Sequence, residues 1–355
     1  MRSSIRRINS RNLVLMVFPI LFAFNGIAQE GVGSGPSPAQ TRTAFLRMID
    51  RPRVSLAPLV KDVPNSEGLR QEYITYSSEK DQRVPGILLK PADHGRRPAV
   101  VVLHGTGGTK EGQLSLLNRL AVQGFVAVAI DGRYHGERKT GTGSAQYVAA
   151  MLETYHTGQG HPFLYDTVWD VLRLIDYLES RPDVDPARIA VIGFSKGGME
   201  TYLAAAVDPR IAVAVPMIGV QSFRWALDND RWMSRVGTFQ AAVDGAAKEA
   251  GLSKVDAAFV RSFYDRVAPG IYTRFDGPAM VPLITPRPLL VINGDADDRT
   301  PLPGVDECMT PAKLAYHKAA ADEKLQVYIQ QNTGHAVTPV ALQVAVDWLV
   351  KWLKP

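Results

Sequence analysis

Three stretches of this sequence carry side chains that could share one reaction. Gly193-Phe194-Ser195-Lys196-Gly197 reads G-x-S-x-G, Asp295, Asp297 and Asp298 follow Gly294, and Gly334-His335 ends a polar run. A serine hydroxyl is a weak nucleophile until a base takes its proton, and that base needs a third group to fix its tautomer. Ser195, one of Asp295, Asp297 and Asp298, and then His335 supply these parts in the chain order expected of a serine at a strand-to-helix turn. The chemistry is acyl transfer through an acyl-serine, with water completing a hydrolysis. It also needs N–H groups aimed where the oxyanion develops. Lys196, the residue after the nucleophile, supplies one, and the loop His104-Gly105-Thr106-Gly107-Gly108 is placed to supply the other.

Such residues work only if the chain places them together. Residues 188–192, before the serine, form a short, mostly apolar stretch of the kind that makes a buried parallel strand, and 198–206 are rich in helix formers. That context makes a G-x-S-x-G a turn with serine at its apex. Seven further strand-like stretches occupy 72–76, 84–89, 98–103, 124–130, 211–217, 288–293 and 325–329. Helical patterns fall between them at about 113–123 and 165–180, with a closing helix at 339–351. Alternating strands and helices predict an α/β fold: an eight-stranded, mostly parallel sheet wrapped on both faces, its first two strands a hairpin at one edge. The long polar connection 132–163 interrupts it. A helical lid insertion at 221–280, with three helix-like segments, lies between strands six and seven and carries Phe223, Trp225, Trp232, Phe239, Phe263 and Tyr264. These form either an aromatic pocket wall or the insertion's own core. In open sheets of this kind a site lies beyond the carboxyl ends of the strands, where Ser195, the Asp295–Asp298 run, His335 and His104–Gly108 all fall.

The composition, 46% hydrophobic and 21% charged, is that of an ordinary globular chain. The N-terminus differs. Arg2, Arg6, Arg7 and Arg11 precede an apolar run, 13–23, and then Gly26-Ile27-Ala28, the order of a cleavable signal peptide over residues 1–28. The run is short for a membrane span. Cleavage implies a periplasmic or secreted protein with no membrane attachment. The four arginines leave only +1 of the formal net charge of +5 on the mature chain, so the basic balance belongs to targeting and does not point to nucleic acid. Cys308 is the single cysteine, which excludes an intrachain disulfide. Residues 29–65 read as a Gly/Pro/Ser-rich linker with one short helix near 44–49, leaving one catalytic domain over 66–355.

With these motifs in place the chain resembles the α/β-hydrolase superfamily, in the branch of dienelactone hydrolases, acetyl xylan esterases and prolyl oligopeptidase catalytic domains. The resemblance runs from about residue 70 to the C-terminus by order of motifs and is closest at 170–198, including Ser180-Arg181-Pro182-Asp183-Val184-Asp185-Pro186. It implies the α/β-hydrolase fold. The family's G-x-x-D-x-x-x-P pattern aligns with Gly294, Asp297 and Pro301, which implies Asp297 as the acid and turn-capping roles for Asp295 and Asp298. It also implies His335 as base, Thr106 as the second oxyanion donor, and a loop-bracing role for His104. Dienelactone hydrolases carry cysteine at the elbow, so Ser195 directs the expectation to acetyl or other short-chain esters, of small molecules or carbohydrates. A serine peptidase of the prolyl oligopeptidase type, lacking its propeller, is the alternative, and a non-catalytic binding protein the third. No cofactor is expected and no metal: Asp131, His135, His156, His161 and Asp166 match no zinc-ligand spacing. Arg133, Arg138 and the Lys196 side chain read as solvated surface charges.

Overall fold

The computed structural model describes residues 35–64, 68–141 and 143–354; the expected signal peptide, 1–28, lies outside them. The strands are β1 (Leu59–Val63), β2 (Leu69–Glu79), β3 (Gln82–Pro91), β4 (Arg97–Leu103), β5 (Val126–Ile130), β6 (Val184–Phe194), β7 (Ile211–Met217), β8 (Leu289–Gly294) and β9 (Leu325–Gln330). They form one sheet in the order β1-β2-β3-β5-β4-β6-β7-β8-β9. The six strands from β5 to β9 pair in parallel, and β1, β2 and β3 add antiparallel pairs at one edge. The chain passes from β4 outward to β5, then returns to lay β6 on the other side of β4. The order therefore reverses between β4 and β6, and a crevice opens at their carboxyl ends.

Consecutive residues of the central strands enter opposite cores, as the two-residue period of a strand requires. Val101, Leu103, Val128 and Val191 face α1 (Pro38–Ile49), α4 (Tyr165–Ser180) and α5 (Lys196–Val207). Val100, Val102, Ala127, Ala129 and Ile192 face α2 (Leu114–Val122) and α12 (Pro339–Leu353). The remaining helices are α3 (Ala145–Thr157), inside the long connection, α6 (Phe223–Asp228), α7 (Met233–Val236), α8 (Gln240–Glu249), α9 (Ala257–Val267), α10 (Gly277–Met280) and α11 (Leu302–Lys318).

Three expectations need correction. The sheet has nine strands, because Leu59–Val63 pairs antiparallel with β2 along its outer edge. Four of its five residues are exposed, so no apolar alternation announced it. Second, the compact unit starts at Pro36, well before residue 66. Ser37 and Gln40 form a reciprocal capping box at the start of α1, worth on the order of 1 kcal/mol. Phe45 and Ile49 are fully buried at its far end, and each contributes about 1.5–3 kcal/mol, so burial decides the docking. Third, the insertion holds five short helices, α6 to α10, where three were expected.

The charges read as solvated are buried beneath the crevice. Arg133 grips Asp170 through Nε and Nη2, both at 2.8 Å, and Arg138 adds a bond of 2.6 Å to the same carboxylate. Burial alone would push the Asp170 carboxyl up, but the two guanidinium groups hold it well below the usual range. Lys196 is fully buried and paired with Glu200 one turn along α5. The physical reason is the setting of α5, every residue of which is buried, so the Lys196 side chain finds its partner on its own helix instead of in water. Nearby, His104 Nε2 accepts the Gly132 N–H at 3.0 Å, so its proton sits on Nδ1, which donates to the Gly105 carbonyl at 2.8 Å. Burial first, and Lys196 second, lower the His104 imidazole to about 4 and that of His135 to about 3.

Both imidazoles are therefore neutral in the fold and titrate near 6.5 when unfolded. The unfolded chain takes up these protons first, so their contribution to stability is lost as pH falls from about 6.5 towards 4. For His104 the loss is on the order of 2 kcal/mol by pH 5. Glu200, raised by burial to about 7, binds its proton in the fold first and acts in the opposite sense. The informative quantity is the difference between two proteins. Between pH 7.5 and 5 the thermal midpoint of His104→Gln should rise relative to that of wild type, and parallel curves would reject this account.

Candidate active site

β6 turns into α5 within one residue. Ser195 occupies that turn at φ 54°, ψ −112°, a region that non-glycine residues rarely adopt and that costs about 1–3 kcal/mol. Its N–H donates to the Met217 carbonyl at 2.9 Å, and its own carbonyl accepts the Met199 N–H at 3.0 Å. The following glycine is required for a different reason. A Cβ on Gly197 would overlap the Leu103 carbonyl, since α5 begins hard against the end of β4.

The loops after β8 and β9 bring the other two groups to this turn. Gly294 lies so close to the Thr333 carbonyl that no side chain fits there, which clamps the two loops together. His335 Nε2 is 2.8 Å from Ser195 Oγ, and His335 Nδ1 is 3.0 and 2.8 Å from the two oxygens of Asp297. Asp297 is 2% exposed. It accepts the N–H groups of Arg299 at 2.8 Å and Thr300 at 3.1 Å, and the Thr300 hydroxyl. Burial would raise its pKa, but the bonds from His335 and Thr300 outweigh burial and hold it below the usual carboxylate range. The carboxylate is thus kept charged behind the imidazole. Asp295 is turned away and accepts the Thr333 N–H at 3.0 Å, while Asp298 is exposed.

The two expected oxyanion donors flank the serine. Lys196 N–H is the first of α5, and Gly105, next to Thr106, packs against the serine: a Cβ there would sit 3.4 Å from that of Ser195. Among the described residues neither the Lys196 nor the Thr106 N–H has a hydrogen-bond acceptor. Beside Thr106 a cavity of about 270 Å³ is bounded by Tyr134, His135, Lys139 and Tyr147. The arrangement offers a nucleophile, a base with an oriented tautomer, and free N–H donors at one crevice.

Other candidates go elsewhere. His104 braces the loop that carries Thr106. Asp131 pairs with buried Lys110, His156 with Glu249, and Asp166 with Arg51, while His135 and His161 bond the Arg133 and Val267 carbonyls. Among the described residues no three His, Cys, Asp or Glu side chains cluster as metal ligands. Phe223, Phe239, Phe263 and Tyr264 are at most 1% exposed and form the insertion's own core, with Phe163 4.6 Å from Phe239. Trp225 and Trp232 are half-buried. One contributor escaped the sequence reading: Thr300, visible there only as the third residue past Asp297, donates its hydroxyl to that carboxylate.

Known proteins resemble this chain in sequence and in fold. The family model for acetyl xylan esterase (AXE1) matches residues 59–229. YtaP of Bacillus subtilis (strain 168), named as a hydrolase, is 29% identical over 286 residues, which cover 77% of this chain and 84% of that one. Acetyl xylan esterase 1 from Thermoanaerobacterium sp. JW/SL YS485 superposes with a TM-score of 0.63 at 18% identity, covering 90% of this chain and 96% of that one. Methylesterase BT1017 gives a TM-score of 0.64 at 17% identity, over 88% of this chain and 63% of that one. The elbow between β6 and α5, the strand order and these structural likenesses show an α/β-hydrolase fold, and over residues 59–229 the chain is similar to the acetyl xylan esterase family.

Proposed function

We propose that this chain is an exported serine hydrolase that removes acetyl or other short acyl groups from esters, carbohydrate esters among them. The observation that carries the proposal is the continuous chain of contacts from Ser195 Oγ through His335 to the buried Asp297 carboxylate. Ser195 attacks the ester carbonyl while His335 Nε2 takes the hydroxyl proton and then returns it to the departing alcohol. Water repeats the sequence on the acyl-serine. Asp297 fixes His335 with Nδ1 protonated and stabilises the imidazolium. The N–H groups of Lys196 and Thr106 receive the oxyanion, in a site whose donors need not reorganise as charge develops. Support for a carbohydrate ester comes from the acetyl xylan esterase match over 59–229. Export rests on the residue types of 1–28. Among the described residues no helix is long and apolar enough to cross a membrane.

Ser195→Ala should lower kcat/KM for 4-nitrophenyl acetate by roughly a thousandfold or more and abolish labelling by a fluorophosphonate probe. Equal rates in variant and wild type would sink the proposal. Asp297→Asn should cost on the order of 10²–10⁴-fold, because the imidazole loses its tautomer partner. Asp295→Asn and Asp298→Asn should stay within about threefold, having no bond to His335; full activity in Asp297→Asn would remove it from the assignment. Acetylated xylan and sugar acetates should be turned over and short peptides left intact. The opposite preference would replace the esterase reading with the peptidase one.

A further inference from the structure

The helical insertion carries a buried cation, Arg235, that has no carboxylate within ion-pair distance among the described residues. Three arginines are buried in the described chain: Arg133 pairs with Asp170, Arg173 pairs with Asp176, and Arg235, 7% exposed, pairs with none. The Arg235 Nε is enclosed without an acceptor, and Nη1 meets only the Met199 sulfur at 3.8 Å. Its Cζ lies 5.8 Å from the centre of the Phe223 ring. A thioether and a ring face are weak partners for a desolvated guanidinium, and burial lowers its pKa from the usual range.

Among the described residues the hydroxyls of Tyr202 and Tyr264 are buried without hydrogen-bond partners, and the Tyr264 ring packs 5.6 Å from the Phe223 ring that Arg235 also approaches. Arg235 is a cation whose charge acts on both phenols. Met199 stands one turn along α5 from the nucleophile, with its N–H on the Ser195 carbonyl, and Asp297 is among the groups whose charge reaches Arg235. An unbalanced guanidinium that touches Met199, itself one helical turn from Ser195, and whose charge acts on two neutral phenols is built for a planar anion, and its fork matches a carboxylate.

We propose that Arg235 receives a carboxylate carried by the ester substrate, with the Tyr202 and Tyr264 hydroxyls as neutral donors beside it. The enzyme then takes anionic esters in preference to neutral ones of similar size. This inference rests on the ester-hydrolase reading. It is tested with two matched pairs: mono-4-nitrophenyl succinate against 4-nitrophenyl pentanoate for a carboxylate on the acyl side, and 3-acetoxybenzoate against phenyl acetate for one on the alcohol side. Wild type should favour the anion at least tenfold in kcat/KM in one pair, Arg235→Gln should lower that ratio at least tenfold, and Arg235→Lys should restore part of it. Ratios near one in both pairs for wild type, or an unchanged ratio in Arg235→Gln, overturn the proposal.

A binding measurement covers the case in which the glutamine variant does not fold. At matched ionic strength, sodium succinate should raise the thermal midpoint of Ser195→Ala, and sodium chloride should not. An equal rise with chloride assigns the cation to a resident inorganic ion and overturns the substrate role. The two readings fail separately. Ester turnover that survives Ser195→Ala rejects the hydrolase mechanism, whereas Ser195-dependent turnover with no anion preference rejects the Arg235 proposal alone.

Discussion

Ser195 holds an unfavourable backbone conformation because the chain around it is fixed to two neighbouring strands, β4 and β7. Gly193 is in register with Leu103 of β4 on one side and Pro216 of β7 on the other. The serine N–H is tied to Met217, and Gly197 rests against Leu103. Relaxing the turn would break parallel pairing at the centre of the sheet, where whole valine and isoleucine side chains are buried. The sheet thus over-determines the one residue whose geometry matters most. The same pairing explains the position of the other parts. Each comes from the carboxyl end of a parallel strand, and the clamp between Gly294 and Thr333 sets acid against base.

Beneath the crevice lies a layer of ionised and neutral polar groups that water cannot reach. Its composition follows one rule: a charge is present where a partner is adjacent, and a titratable group without one is neutral. Asp170 faces two arginines and stays a carboxylate. Lys110 faces Asp131. His104 and His135 have only backbone partners for their Nδ1 atoms, and burial first, with the nearby Lys196 second, keeps both uncharged. A neutral His104 with a fixed proton can accept from Gly132 and donate to Gly105 at once, and so ties the end of β5 to the loop that carries Thr106. The Thr106 loop owes its position to that tautomer.

The legible parts of the sequence were those governed by local steric rules. A serine between a short apolar strand and a helix, and an imidazole just past the last strand, are recognisable because few other structures need those residues there. The acid was not legible from spacing alone. Asp295, Asp297 and Asp298 share a loop, and the choice among them is made by Thr300 and by His335, 38 residues further along. Lys196 misled for a related reason. A lysine in a first helical turn is normally solvated, and only the enclosure of α5 on all sides forces it onto Glu200. Phe223, Phe239 and Phe263 could equally line a pocket or fill a core until their contacts with Phe163 and with one another are known. β1 was invisible because backbone pairing, rather than apolar side chains, holds it.

That outermost strand also governs how the folded chain meets its own copies. Without Leu59–Val63, β2 would present eleven residues of alternating, half-buried strand with its backbone groups unpaired, a ready template for another chain to extend. β1 covers Gln71 to Thr75 of that edge, and just beyond it Ser77 donates to the Leu56 carbonyl. Two residues of β1, Lys61 and Asp62, carry charges that a pairing neighbour would have to accommodate. The short segment thereby limits sheet-to-sheet aggregation while contributing almost nothing to the core it borders.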